Sequence, residues 1–111
     1  FKRKLLKIPT AFKYENAIEF MLDKNVKRED VIPLIAPRWD HSPRSGSNGI
    51  ILVNESPDLW RNLLIKVKNI VANKTNKLVI IKSWNEWGEG NFLEPDIKNG
   101  KQYLEEVKKV V

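Results

Sequence analysis

Residues 78–96 read LVIIKSWNEWGEGNFLEPD, and the way this stretch folds sets the architecture of the whole chain. Leu78-Val79-Ile80-Ile81 is apolar without alternation, which predicts a strand covered on both faces, as in parallel sheets. The residues from Trp84 to Gly100 then predict a loop, which lies at the carboxyl end of that strand. Working outward, Ser56-Pro57-Asp58 forms a helix start: the serine caps free N–H groups, the proline fits the first helical position and the aspartate suits the positive end of the helix dipole. Trp60, Leu63, Leu64, Val67, Ile70 and Val71 follow at helical spacing, and Asn73 to Asn76 supplies the break.

Further out, Val31 to Ala36 predicts a second short buried strand, although Pro33 within it donates no ladder hydrogen bond. Pro37 to Asn54, with Pro37, Pro43, Gly46 and Gly49, predicts a long loop. Tyr14, Ala17, Ile18, Met21 and Leu22 place an apolar stripe on a helix over roughly 14–24, and Tyr103, Leu104, Val107, Val110 and Val111 do the same for a closing helix. The order helix, strand, loop, helix, strand, loop, helix predicts an α/β fold with parallel strands. Both long loops follow strands, and the carboxyl ends of strands are where such folds bind ligands.

Composition narrows the chemistry. The chain has 111 residues, no Cys and one His, which rules out a disulfide framework, thiol catalysis and a multi-histidine metal centre. Its apolar runs are far shorter than the ~20 residues that span a bilayer. Phe1 in place of Met is read as a sign that the natural N-terminus lies elsewhere. The net charge is +6, divided as +3 over residues 1–30, +4 over 31–80 and −1 over 81–111. The basic excess therefore lies away from the 84–96 motif and is read as solvated surface charge. A nucleic-acid surface would require Lys2, Arg3, Lys4, Lys66, Lys68 and Lys74 on one continuous face.

Between Glu86 and Asp96 stand four carboxylates and no Lys or Arg. Trp84 and Trp87 flank the first of them, and indole faces pack on the C–H faces of sugars while carboxylates bond the hydroxyls. Two carboxylates held close, Glu86 and Glu89, would split their titration, like charge and an apolar wall raising one of them, and so provide the acid and base that glycosidic cleavage requires. Alternatives remain at this level. The tryptophans could be core, Glu94 and Asp96 could be caps or solvated charges, and Glu86, Glu89 and Asp96 could hold Mg²⁺ or Ca²⁺. Gly88 and Gly90 do not form a phosphate-binding fingerprint.

WNEWGEGNFLEPD, followed by Asn99-Gly100-Lys101-Gln102-Tyr103-Leu104, resembles the C-terminal signature of the WbsX-type glycosyltransferase family, whose domain is similar to glycoside hydrolase family 99. Pro37-Arg38-Trp39-Asp40-His41-Ser42-Pro43-Arg44 resembles that family's second motif, with His41 in place of the usual Asn. Ser56-Pro57-Asp58 resembles the opening of its next helix, and Phe12-Lys13-Tyr14-Glu15 fits more loosely. The resemblance covers roughly residues 12–107 and implies that residues 1–111 are a single partial domain, the C-terminal portion of a (β/α)8 TIM-type barrel, arranged helix-strand-helix-strand-helix. Val31 to Ala36 and Leu78 to Ser83 would be its seventh and eighth strands.

It implies action on polysaccharide, in bacterial lipopolysaccharide or capsule synthesis in the cytoplasm, with no cofactor or metal, no nucleic acid and no membrane span. Carried over, Glu86 is the base that deprotonates the sugar's 2-hydroxyl and Glu89 the acid that protonates the leaving oxygen. Asn85 positions, Trp84 and Trp87 wall the pocket, and Asp40 and Arg44 hold substrate hydroxyls or a charged group. Trp39 and Glu94 join them as substrate-binding residues. The implied partners are a carbohydrate, mannose-containing among the candidates, and the missing N-terminal part of the barrel, without which the chain is expected to be inactive. The alternative is a non-catalytic carbohydrate-binding module or truncated remnant of such a barrel.

Overall fold

The computed structural model describes residues 6–111; the Lys2, Arg3 and Lys4 cluster lies outside them. The described residues form a mixed α/β unit with small sheets. β1 (Thr10–Lys13) runs directly into α1 (Tyr14–Met21). β2 (Leu34–Ile35) is followed by the short helix α2 (Ser42–Ser45) and by β3 (Ile50–Val53). The long helix α3 (Pro57–Ala72) leads to β4 (Ile80–Ile81), then to β5 (Asn85–Glu86) and β6 (Asn91–Phe92), and α4 (Gln102–Val110) closes the chain. β1 pairs with β3 in parallel, Thr10 opposite Ile50. β2 pairs with β4 in parallel, Leu34 opposite Ile80 and Ile35 opposite Ile81. β5 and β6 form an antiparallel pair.

The helix α3 organises the core. Ser56 Oγ accepts the Leu59 N–H at 3.2 Å, so the start expected from Ser-Pro-Asp is the start observed. Trp60, Leu63, Leu64, Val67 and Val71 are buried on one face. The first four of these pack with Tyr14 and Ile18 of α1, Ile35 of β2, Leu93 and Tyr103. Trp60 is fully enclosed, and its indole N–H donates to the Tyr103 carbonyl at 3.1 Å, which satisfies the one polar group that burial would strand. At the other end of α3, Lys74 turns inward and donates to the carbonyls of Val26, at 2.9 Å, and Val31. Lys74 is thus buried and belongs to no basic face, while Lys66 pairs with Glu19.

Several expectations need correction. The first helix stops at Met21, because Asp23 caps a separate 3-10 turn, Lys24–Lys27, by accepting the Asn25 N–H at 2.8 Å. The strand expected over 31–36 is reduced to Leu34–Ile35. Pro33 supplies only its carbonyl, which accepts the Ile80 N–H at 2.9 Å. Residues 37–54 are not all loop, since they contain α2 and β3, and the partner of β3, β1, was not foreseen. The run Leu78–Ile81 is a strand only at its last two residues, and it is not covered on both faces. Ile81 packs on the core, whereas Leu78, Ile80 and neighbouring Leu34 are each more than half exposed. Val111, expected inward, is exposed. Among the described residues no helix is long and apolar enough to cross a membrane.

Candidate active site

Because β2 and β4 are parallel neighbours, the loops that follow them leave the same edge of the sheet. The first loop is rooted by Arg38, a buried cation stacked between the rings of Phe92 and Tyr103, with its guanidinium carbon 4.4 Å and 4.0 Å from their centroids. Arg38 Nη1 also donates to Asp96 Oδ2 at 2.7 Å. Burial opposes ionisation of Asp96, but the Asn99 N–H at 2.6 Å and the Arg38 guanidinium outweigh it and hold the carboxyl below its ordinary range. Burial in turn pushes the Tyr103 hydroxyl up to about 12. Further out, the Asp40 N–H donates to the Glu89 carbonyl at 2.8 Å, joining the two loops through their backbones. Gly90 is essential to that contact: its φ is +55°, and a Cβ there would lie 2.8 Å from Asp40 Cβ.

The carboxylates are brought together around one arginine. Arg44, on α2, places Nη2 3.0 Å from Glu86 Oε1 and Nη1 3.5 Å from Glu89 Oε1. Gly88 lies against that guanidinium, where a Cβ would come within 2.8 Å of Nη2. Glu89 also meets Lys82 Nζ at 3.1 Å and His41 Nε2 at 3.8 Å. Its side chain is 17% exposed against 38% for Glu86, so the more enclosed carboxylate has the more cations. The Lys82 hydrogen bond, with the charges of Lys82, His41 and Arg44, holds Glu89 below the usual carboxylate range, against the expectation that the pair would contain a raised acid. Arg44 contacts both glutamates and is itself 54% exposed.

A second layer fixes Glu86. Ser83 Oγ accepts the Glu86 N–H at 3.1 Å and donates to the Asn91 carbonyl at 2.6 Å, while the Ser83 N–H donates to Asn91 Oδ1 at 2.9 Å. Asn91 is fully buried. Trp87 stacks on Phe92 with centroids 3.6 Å apart, and its indole N–H donates to Glu94 Oε2 at 2.6 Å. Trp84 and Trp87 remain about half exposed, and Asn85 is exposed on β5. Trp39 carries Lys82 Nζ over its ring at 4.4 Å.

The expected site residues therefore divide into two groups. Glu86, Glu89, Arg44 and Trp39 gather with His41 and Lys82. Asp40 instead accepts the Ser42 N–H at 2.9 Å and its hydroxyl at 2.5 Å, which orients the start of α2, and Glu94 serves Trp87. Asp96 belongs to Arg38, so the cation site of Glu86, Glu89 and Asp96 does not assemble. Among the described residues no three His, Cys, Asp or Glu side chains group as metal ligands. Sequence reading missed Arg38, Lys82, Ser83 and Asn91. Lys82 had one visible signal, a charge placed directly after an otherwise apolar strand.

Paired carboxylates and half-exposed indoles thus stand at the carboxyl edge of a parallel strand pair in an α/β domain. The chain belongs to the family described as Glycosyltransferase WbsX, which it matches over residues 2–107. It is similar to two proteins named "Uncharacterized protein WxcX" from Xanthomonas campestris pv. campestris. It is 32% identical over 97 residues to the one from strain B100, covering 85% of this chain and 14% of that protein. It is 38% identical over 76 residues to the one from strain ATCC 33913, covering 66% of this chain and 11% of that protein. The chain thus spans about a seventh or less of the length of these relatives. No solved structure matches it.

Proposed function

We propose that residues 1–111 are the C-terminal portion of a family 99-like (β/α)8 barrel that acts on polysaccharide in lipopolysaccharide or capsule biosynthesis in the bacterial cytoplasm, with Glu86 and Glu89 as its acid/base pair. The observation that carries this reading is the convergence of the two glutamates on Arg44 at one edge of a parallel strand pair, the edge on which barrel enzymes place their chemistry. Parallel pairing of β2 with β4, joined through α3, supports their assignment as consecutive barrel strands. The bare face of Leu34, Leu78 and Ile80 is then the barrel interior, filled by side chains from strands that this chain does not contain.

In this reading Trp84 and Trp87 offer half-exposed indole faces to sugar rings, Trp39 and Asn85 line the same rim, and Arg44 holds a hydroxyl or a charged substituent. Asp40 and Glu94 contribute by orienting α2 and Trp87, in addition to any contact with substrate. Glu86, the more open carboxylate, is the base that takes a proton from the sugar's 2-hydroxyl; Glu89 must gain a proton before it can protonate a leaving oxygen. The test is the full-length protein with Glu89→Gln. Turnover is expected to vanish on substrates with poor leaving groups and to survive on activated ones, and equal loss on both removes the acid assignment.

A second reading, a carbohydrate-binding remnant without chemistry, draws on the pairing of Glu89 with both Lys82 and Arg44. Titrating this chain with mannose-containing oligosaccharides separates that reading from a purely structural domain. Chemical-shift changes at the Trp84 and Trp87 indoles indicate a sugar platform, and their absence together with an inactive full-length protein argues against both carbohydrate readings.

A further inference from the structure

We propose that Lys82 is a positioning residue for the rim, clamping Glu89 against the Trp39 loop until a ligand draws its ammonium away. The inference rests on the reading of Glu86 and Glu89 as the reactive pair, and it concerns a residue outside the WNEWGEG signature. Lys82 leaves β4 at the point where the chain turns into the second rim loop. Its Nζ is 3.1 Å from Glu89 Oε2 and 4.4 Å above the Trp39 ring, so one side chain joins the second loop to the aromatic wall of the first. A lysine is suited to this use: its ammonium can hold a carboxylate on one side and a ring face on the other, and its flexible stem can swing clear.

The other charged groups facing Glu89 cannot replace it. Arg44 is farther away, at 3.5 Å, and is shared with Glu86 at 3.0 Å. His41 stands at 3.8 Å, with its Nδ1 engaged by Ser45 Oγ at 3.0 Å. Neither contacts Glu89 Oε2, which is left to Lys82. Removal of Lys82 therefore exposes one full carboxylate oxygen while Arg44 and His41 remain on the other. The consequence for chemistry is a division of labour. With Lys82 in place, Glu89 acts as a fixed negative charge or a base, and it acts as an acid only after a ligand entering over Trp39 displaces the ammonium and the freed carboxylate takes a proton from water.

The experiment is a pH titration of the Glu89 side-chain carboxyl by carbon-detected NMR in this chain, with the Trp39 indole N–H followed in the same samples. The expected result is a midpoint below the ordinary glutamate range. It should move upward in Lys82→Met and stay low in Lys82→Arg, with the Trp39 signal shifting in Lys82→Met alone. Lys77→Met, three residues before β4, is the control and leaves both signals in place. Should Lys82→Met unfold, Lys82→Gln carries the same expectation with a polar side chain of similar reach. A Glu89 midpoint that does not move on loss of the Lys82 charge, or that moves equally in Lys82→Arg, overturns the proposal. The readout needs no turnover, so it fails or succeeds separately from the carbohydrate reading, which is judged by the oligosaccharide titration.

Discussion

The helical side of the molecule and its β2–β4 side are built from similarly apolar sequence but reach opposite ends of the burial scale. α3 buries Trp60 and Leu63 completely, and its polar surplus is absorbed locally, the indole N–H by Tyr103 and the helix start by Ser56. Across the sheet, Ile35 is fully buried while its neighbour Leu34 is 52% exposed, and on β4 the exposed residue is Ile80. Because side chains alternate along a strand, one face of this pair is finished against α3 and the other is bare. An apolar run therefore reports how many faces a strand is meant to cover; whether both are covered depends on what else is present. The proposed barrel gives the bare face an interior to belong to.

That contrast can be broken most forcefully at Trp60. Trp60→Ala should cost about 3–5 kcal/mol in denaturant unfolding, as truncation of an enclosed aromatic does. A loss under about 1 kcal/mol would mean that the helical side is not packed as described. Next comes the ion pair that roots the rim. Arg38→Met leaves Asp96 charged and enclosed and should cost about 3 kcal/mol at neutral pH.

The same pair predicts a pH dependence. Asp96 is held below its unfolded value, so its stabilisation is complete above the ordinary carboxylate range and is lost as pH falls through its lower folded midpoint. Asp96→Asn should flatten that acid limb, and a limb of unchanged steepness would show that Asp96 contributes little. Ser56→Ala should cost about 1 kcal/mol through loss of the cap on α3. At the small end, Leu34→Ser should change the stability of this chain by less than about 0.5 kcal/mol, because the side chain is already in water. If it costs as much as Leu63→Ala, the face is covered and the contrast between the two sides disappears.

How much of this was legible in the sequence follows from the range of the interactions involved. α3 was read correctly from Ser56 through Val71, because its cap, its first-turn proline and its apolar spacing are all local. β2 and β4 were legible as apolar runs, and their parallel pairing followed from the intervening helix. β1 and β3 were missed because Thr10–Lys13 and Ile50–Val53 hold one another across some forty residues, and nothing within either segment states that partnership. On the rim, the sequence resemblance named Glu86, Glu89, Arg44 and the tryptophans as candidates, of which the structure brings Glu86, Glu89 and Arg44 into contact. It could not give Lys82, whose role depends on Trp39 lying beneath its ammonium, nor Arg38, whose place between Phe92 and Tyr103 joins three distant parts of the chain.

The central claim is that Glu86 and Glu89 work as one reactive pair on polysaccharide. The most direct measurement compares the surface polysaccharide of host cells in which the full-length gene is deleted and then restored as wild type, Glu86→Gln or Glu89→Gln, with protein levels matched. The account predicts that the wild type restores the polysaccharide lost on deletion and that neither variant does. Restoration by both variants would contradict it, leaving the glutamates as structural partners of Arg44.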